Sequence, residues 1–394
     1  MEKVNIGYSL KNIPIPILHI YLLNLTIKIE DFLKRLRWKA FFFSKKNTND
    51  ENNDPTNTFG FASTNSPPSN KDLENFEQDL LDVVSTIKFS KKMDQFQQNL
   101  QKDIKHIHNS KKIFIQSDKT RNIYKLKPET YEKIIMNSIT SNYKKDNYNT
   151  ENTINNEAYN ITNKLNINDR VGVINKKESY ILLKDHKSNF NNNWTARLIN
   201  PTKTEIGKIS KIILEKINNN LKKTFGFQQW INTTEVIDWF KNIKNKEKAT
   251  FIQFDIIDFY PSINEKMLDE AIVFAKQHTK ITNQDINIIK QCRRTILKNN
   301  RDTWIKKNNN FDVPMGAFDS AELSDLIGLY ILHTLTRFSF LNISDVGLYR
   351  DDGLILIRNS NGPKTNSTHK KLIKALKYVS FKIDITSNLK IVNC

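Results

Sequence analysis

Cysteine is nearly missing from the chain: Cys292 and Cys394 are the only two in 394 residues, and they lie far apart. That scarcity excludes a disulfide framework and any Cys-based zinc spacing, and fits a reducing compartment. Long apolar runs are missing too. The most apolar N-terminal stretch, "IPIPILHIYLLNLTIKI", is broken by two prolines, a His and an Asn, short of the roughly 20 apolar residues a membrane span needs. It also lacks a small-residue cleavage site. These absences argue against secretion and stable membrane insertion, and for an intracellular protein, nuclear or cytoplasmic. No internal repeat is evident. What the chain has in excess is cationic charge: 61 Lys plus Arg against 42 Asp plus Glu, a net +19. A field of that sign favours a polyanion, with nucleic acid first among candidates. A merely Lys-rich solvated surface is the competing reading.

The length leaves room for two or three domains. Residues 1–43 end in "IKIEDFLKRLRWKAFFF", an amphipathic basic helix expected to pack on its own domain. Residues 44–72 are polar, Asn-rich and Pro-containing, and too poor in apolar side chains to order themselves, so they read as a disordered linker. Helical periodicity returns over 73–110, where His106 and His108 lack further metal ligands and read as a solvated helix end. Residues 111–248 open with strand, turn, strand and a helix after Pro128, then pass through a second polar stretch at 142–166. An α/β segment, 249–394, completes the chain.

Two acidic landmarks stand in that last segment. In "ATFIQFDIIDFYPSINEKMLDEAIVFAKQ", a β-branched and aromatic strand ends at Asp255, and Ser262 with Glu265 has the spacing of a capping box before an apolar helical stripe. In "SDVGLYRDDGLILIRNS", Asp351 and Asp352 adjoin between two apolar runs, and the following Gly353 completes an Asp-Gly hairpin signal that places both carboxylates at or beside a tip. Like charges about 4 Å apart cost roughly 1 kcal/mol even in water. A cation offsets that cost, and magnesium, which takes oxygen ligands and substrate phosphates, is the natural one. A solvated Asp-Asp-Gly turn is the bland alternative.

With these residues placed, the chain resembles the reverse transcriptases. "FDIIDFYPSI" is similar to the family's first palm motif, with Asp255 followed five residues on by Tyr260. "VPMGAFDSAELSDLIGLYIL" resembles the second, with Pro314, Gly316 and Ser320, and "YRDD" the third. The motifs follow in the family's order. Upstream, "LLKDHKSNFNNNWTARLINP" resembles the fingers strands, where Lys184 or Lys187, together with Arg197, matches the basic residues that contact an incoming triphosphate. "SDKTRNIYKL" is similar to an element of Penelope-like and related retroelement enzymes, of Penelope-like or non-LTR type, and Lys390 matches the lysine of the fourth palm motif. Met315 and Ala321 depart from the family's usual Gln and Pro.

The resemblance implies an α/β (α+β) fold: fingers over 111–248 and a palm over 249–394 whose mostly antiparallel sheet is backed by helices, behind an N-terminal helical extension. It implies template-directed DNA synthesis on an RNA template from a DNA primer with deoxynucleoside triphosphates. Asp255, Asp351 and Asp352 would be the catalytic, metal-binding residues for two magnesium ions, with manganese as a substitute. Tyr260 would exclude a ribose 2′-hydroxyl, and Lys184, Lys187, Arg197, Pro314, Gly316, Ser320 and Lys390 would line the substrate site. The family continues into a primer-gripping hairpin and a thumb for which no residues follow here. The alternatives are therefore a truncated, inactive nucleic-acid-binding remnant, and a structural protein that keeps only the fold.

Overall fold

The structure is a computed structural model that describes residues 1–5, 21–46, 65–87, 95–146, 149–168, 177–190, 194–246, 249–307, 310–337, 343–358, 362–378 and 383–390. The elements begin with β1 (Glu2–Asn5), α1 (Tyr21–Lys46), α2 (Lys71–Thr86), α3 (Gln95–Asn109), β2 (Ile113–Gln116), β3 (Ile123–Leu126), α4 (Pro128–Asn142), β4 (Tyr143–Lys145) and α5 (Asn149–Lys164). There follow β5 (Tyr180–Leu183), β6 (Ala196–Ile199), α6 (Glu205–Phe225), β7 (Gln228–Gln229), α7 (Thr233–Asn242), β8 (Ala249–Ile256), α8 (Phe259–Ser262), α9 (Glu265–Lys276) and α10 (Asn283–Gln291). The last are β9 (Leu297–Asn299), β10 (Asp302–Lys306), α11 (Ser320–Arg337), β11 (Asp345–Tyr349), β12 (Asp352–Arg358), α12 (Gly362–Tyr378) and β13 (Ile383–Lys390). Most of the stretch read as a linker lies outside the described residues.

The chain forms two compact units, one of Met1–Lys144, Thr162–Gly172 and Glu178–Ile199, the other of Lys145–Ile161, Val173–Lys177 and Asn200–Cys394. In the first, the basic helix α1 lies beside α2, tied by an Arg37–Glu77 ion pair. The β-branched runs of β2 and β3 pair antiparallel, β1 extends them, and the turn leads to α4 with Pro128 at its first position, where a missing N–H costs nothing. Ile134, Ile135 and Ile139 of α4 are buried, and the helix packs against β6 of the β5–β6 hairpin.

In the second unit a five-stranded sheet runs in the order β13-β8-β12-β11-β7, antiparallel except for the short β7–β11 pair. One face, with Ile252, Phe254, Ile355 and Leu348, is backed by helices. Gly328 of α11 comes so near that a Cβ there would stand 3.2 Å from Leu348, and α6 and α9 pack on α11. Each fully buried Leu, Ile or Phe in this layer contributes roughly 1.5–3 kcal/mol. On the other face Trp230, Trp239, Ile243, Phe251 and Leu356 form a cluster under α7.

One polar stretch holds a helix, and one local expectation is corrected. The polar stretch 142–166 contains α5, because Ile154, Ala158 and Thr162, four apart, form a narrow buried stripe within an Asn-rich sequence. The capping box at Ser262 and Glu265 does not form. Asn264 caps α9 instead, accepting from the Met267 N–H at 3.0 Å, while Ser262 ends the single turn of α8 and bonds the Ile257 carbonyl.

Candidate active site

The carboxylates stand at one end of the five-stranded sheet. Asp255 lies near the exit of β8 and pairs directly with Asp352, the first residue of β12. Directly opposed residues on antiparallel strands project to the same face with Cβ atoms about 4.5–5.5 Å apart. The Ile256 N–H donates to the Asp351 carbonyl at 2.9 Å, which fixes the hairpin's turn against the end of β8. Asp351 and Asp352 are exposed and Asp255 is half-buried. The register also sets Asp384 of β13 across from Asp255.

The hairpin's turn differs from the sequence expectation. Tyr349 pairs with Asp352, so the two-residue turn is Arg350-Asp351, with Arg350 left-handed at φ 56°. Gly353 lies inside β12 opposite Phe254, and a Cβ there would come within 2.0 Å of that ring. Glycine is required at this position by the close approach of an aromatic side chain rather than by a turn.

Other elements of the same unit hold Tyr260, the Pro314–Gly316 loop, Ser320 and Lys390. Tyr260, on α8, is half-buried, and its hydroxyl accepts from Ser324 Oγ of α11 at 3.3 Å. The loop from Pro314 to Gly316 is shaped from within: buried Ser320 donates to the Pro314 carbonyl at 2.8 Å, and the Asn200 N–H donates to the Met315 carbonyl at 3.0 Å. Gly316 sits at φ 124°, a conformation open to glycine and strained for other residues. Ser320 thus holds the loop with the hydroxyl that the family resemblance assigns to substrate. Beneath the loop, buried Asp319 binds Arg293 and Ser210. Lys390 ends β13 opposite Thr250, and its side chain lies outside the described residues.

Lys184, Lys187 and Arg197 belong to the other unit, where Lys184 and Lys187 occupy the loop after β5 and Arg197 stands on β6 opposite Leu182. Arg197 forms an ion pair with buried Asp118 at 3.0 Å.

Two features had no sequence signal. Asp325, on α11, is pushed up to about 6 by burial, against the pull of Lys222 and Arg350. A cavity of about 370 Å³ opens beside the carboxylates, lined by Trp230, Asn232, Gln253, Tyr349 and Asp352 among others. Each depends on contacts between residues distant in sequence.

Among the described residues no three carboxylate, imidazole or thiol side chains form a ready-made metal cluster. Magnesium is commonly held by one or two carboxylates together with waters and substrate phosphates. The Asp255–Asp352 pair, all-oxygen and open to solvent, suits that chemistry.

No family model matches the chain, and no curated protein matches it. Solved structures do. Apo telomerase from Candida tropicalis superposes with a TM-score of 0.52 at 12% identity, over 95% of this chain and 75% of that one. The chain has a reverse-transcriptase-like fold. The same telomerase truncated from its C-terminal domain gives 0.50 at 14% identity, over 79% of this chain and 68% of that one. Telomerase from Candida albicans in complex with a TWJ fragment of telomeric RNA gives 0.50 at 12%, over 82% of this chain and 55% of that one. No helix among the described residues is long and apolar enough to cross a membrane.

Proposed function

We propose that this chain is a retroelement-type RNA-directed DNA polymerase, extending a DNA primer on an RNA template with deoxynucleoside triphosphates. The observation that carries the reading is the register that sets Asp255 beside Asp352 while the turn carries Asp351 next to them. The motifs "FDIIDFY", "VPMGAFDS" and "YRDD" support a reverse transcriptase, "SDKTRNIYKL" supports the retroelement type, and the net charge of +19 supports a nucleic-acid partner.

The reaction joins the primer's 3′ oxygen to the α-phosphorus and breaks the bond to the β-phosphate, releasing pyrophosphate. Asp255, Asp352 and Asp351 would hold two magnesium ions, which when bound favour the deprotonated 3′ hydroxyl and neutralise the leaving pyrophosphate. The rest falls to the protein. Tyr260, steadied by Ser324, underlies the sugar and leaves no room for a 2′ hydroxyl. The Pro314–Gly316 loop, held by Ser320, brings backbone close to the nascent pair. Lys184, Lys187 and Arg197 are the basic residues that the resemblance assigns to the triphosphate.

The test is primer extension by the full chain on an RNA template with magnesium and deoxynucleotides. Extension abolished by Asp351→Ala supports the reading. No extension, or extension indifferent to that change, overturns it.

A further inference from the structure

The segment Ser117–Tyr124 is wrapped around a single carboxylate. Asp185, in the loop after β5, accepts three hydrogen bonds on one oxygen: from Thr120 Oγ1 at 2.5 Å, Asn122 Nδ2 at 2.6 Å and Tyr124 Oη at 2.9 Å. The donors are themselves linked, Asn122 to Thr120 at 2.7 Å and Thr120 to Ser117 at 2.8 Å. Main-chain bonds fasten the same segment to β5, with the Asp118 N–H on the Leu183 carbonyl at 2.8 Å. The far end of the loop is fixed as well, since the Phe190 ring lies 5.6 Å from that of Tyr124 and both are buried. Between these anchors stand Lys184 and Lys187, both bordering the short turn closed by the Lys187 N–H on the Lys184 carbonyl.

Burial alone would raise the Asp185 carboxyl, but the bonds from Thr120, Asn122 and Tyr124 outweigh it and hold the group below the ordinary carboxylate range. Tyr124, buried and bonded to Asp185, is pushed up to about 12, so it remains a donor at physiological pH. A loop that presents two ammonium groups to a polyphosphate gains from such an arrangement, because each flexible lysine loses conformational freedom on binding and a fixed backbone lowers that loss.

We propose that Asp185 is a positioning residue: through Thr120, Asn122 and Tyr124 it holds the Lys184–Lys187 loop in the form that binds a nucleoside triphosphate. The inference rests on the proposed polymerase reading, and it is tested by binding rather than by synthesis so that the two can fail separately. Tripolyphosphate and a deoxynucleoside triphosphate are titrated into the full chain, with circular dichroism and thermal melting as folding controls.

The expected result is that Asp185→Ala weakens both ligands about tenfold or more while melting stays cooperative. Asp185→Asn, whose carbonyl oxygen still accepts from the three donors, restores affinity to within about threefold. In a double-mutant cycle the losses from Asp185→Ala and Lys184→Ala are not additive, because the first acts through the second. The proposal is overturned if wild type does not bind tripolyphosphate, if Asp185→Ala binds like wild type, if the Asn variant is as weak as Ala, or if only binding of a single-stranded RNA oligonucleotide changes. Failure of primer extension alongside intact triphosphate binding would sink the polymerase reading and leave this one standing.

Discussion

Asp255 and Asp352 are direct partners across β8 and β12, on strands that the sequence separates by almost a hundred residues. The pairing converts two distant motifs into one acidic edge, and the hairpin turn adds Asp351 beside it. Replacing Asp255 or Asp352 by Asn keeps shape and removes charge. Each replacement is expected to lower magnesium-dependent synthesis by about 100-fold or more, while circular dichroism and the urea midpoint stay near wild type. A variant that unfolds would instead make the pair structural.

Gly353 is predicted to be irreplaceable for packing reasons. An alanine methyl would meet the Phe254 ring at 2.0 Å, and overpacking of this kind costs about 1–3 kcal/mol or more. Urea unfolding should show the loss for Gly353→Ala. Gly362→Ala, at a position with nothing within 4 Å, should be close to neutral.

Asp325 gives the molecule a pH dependence. Its folded pKa of about 6 lies above the 3.8 usual for an aspartate, so the folded state holds the proton more tightly than the unfolded state does. Its contribution to stability is full below about pH 4 and declines as pH rises to about 6, by roughly 3 kcal/mol in all. Asp325→Asn should flatten that decline, read as the difference between melting temperatures at about pH 4.5 and pH 7.

Tyr260 makes a prediction about sugars. With the ring removed in Tyr260→Ala, ribonucleotide incorporation should rise about tenfold or more relative to deoxynucleotides. Tyr260→Phe keeps the ring and loses only the 3.3 Å contact with Ser324, so discrimination should persist. Equal selectivity in all three proteins would remove Tyr260 from the sugar site.

Much of this architecture could be read along the chain because its signals are local. The β-branched runs of β2, β3 and β8, Pro128 before α4 and the apolar stripe of α9 each state their structure within a dozen residues. Where the signal was thin, no element could be read: α5 buries little more than Ile154, Ala158 and Thr162 amid asparagines. Asn264 took the cap from Ser262, a choice between two competent residues that the approach of the chain decides. The Asp-Gly pair pointed to a hairpin but not to its register, because Phe254, on another strand, dictates where the glycine must sit. The burial of Asp325 and the three bonds on Asp185 join residues far apart in sequence, and no local pattern announces them.

The central claim is that the paired aspartates make this fold a polymerase. The most direct measurement is single-nucleotide incorporation, with wild type and Asp352→Asn run side by side on one RNA-templated DNA primer across a magnesium titration. The account predicts incorporation by wild type that requires magnesium and deoxynucleotides and is lost in Asp352→Asn at every magnesium concentration. Incorporation by neither protein, or by both alike, would contradict it.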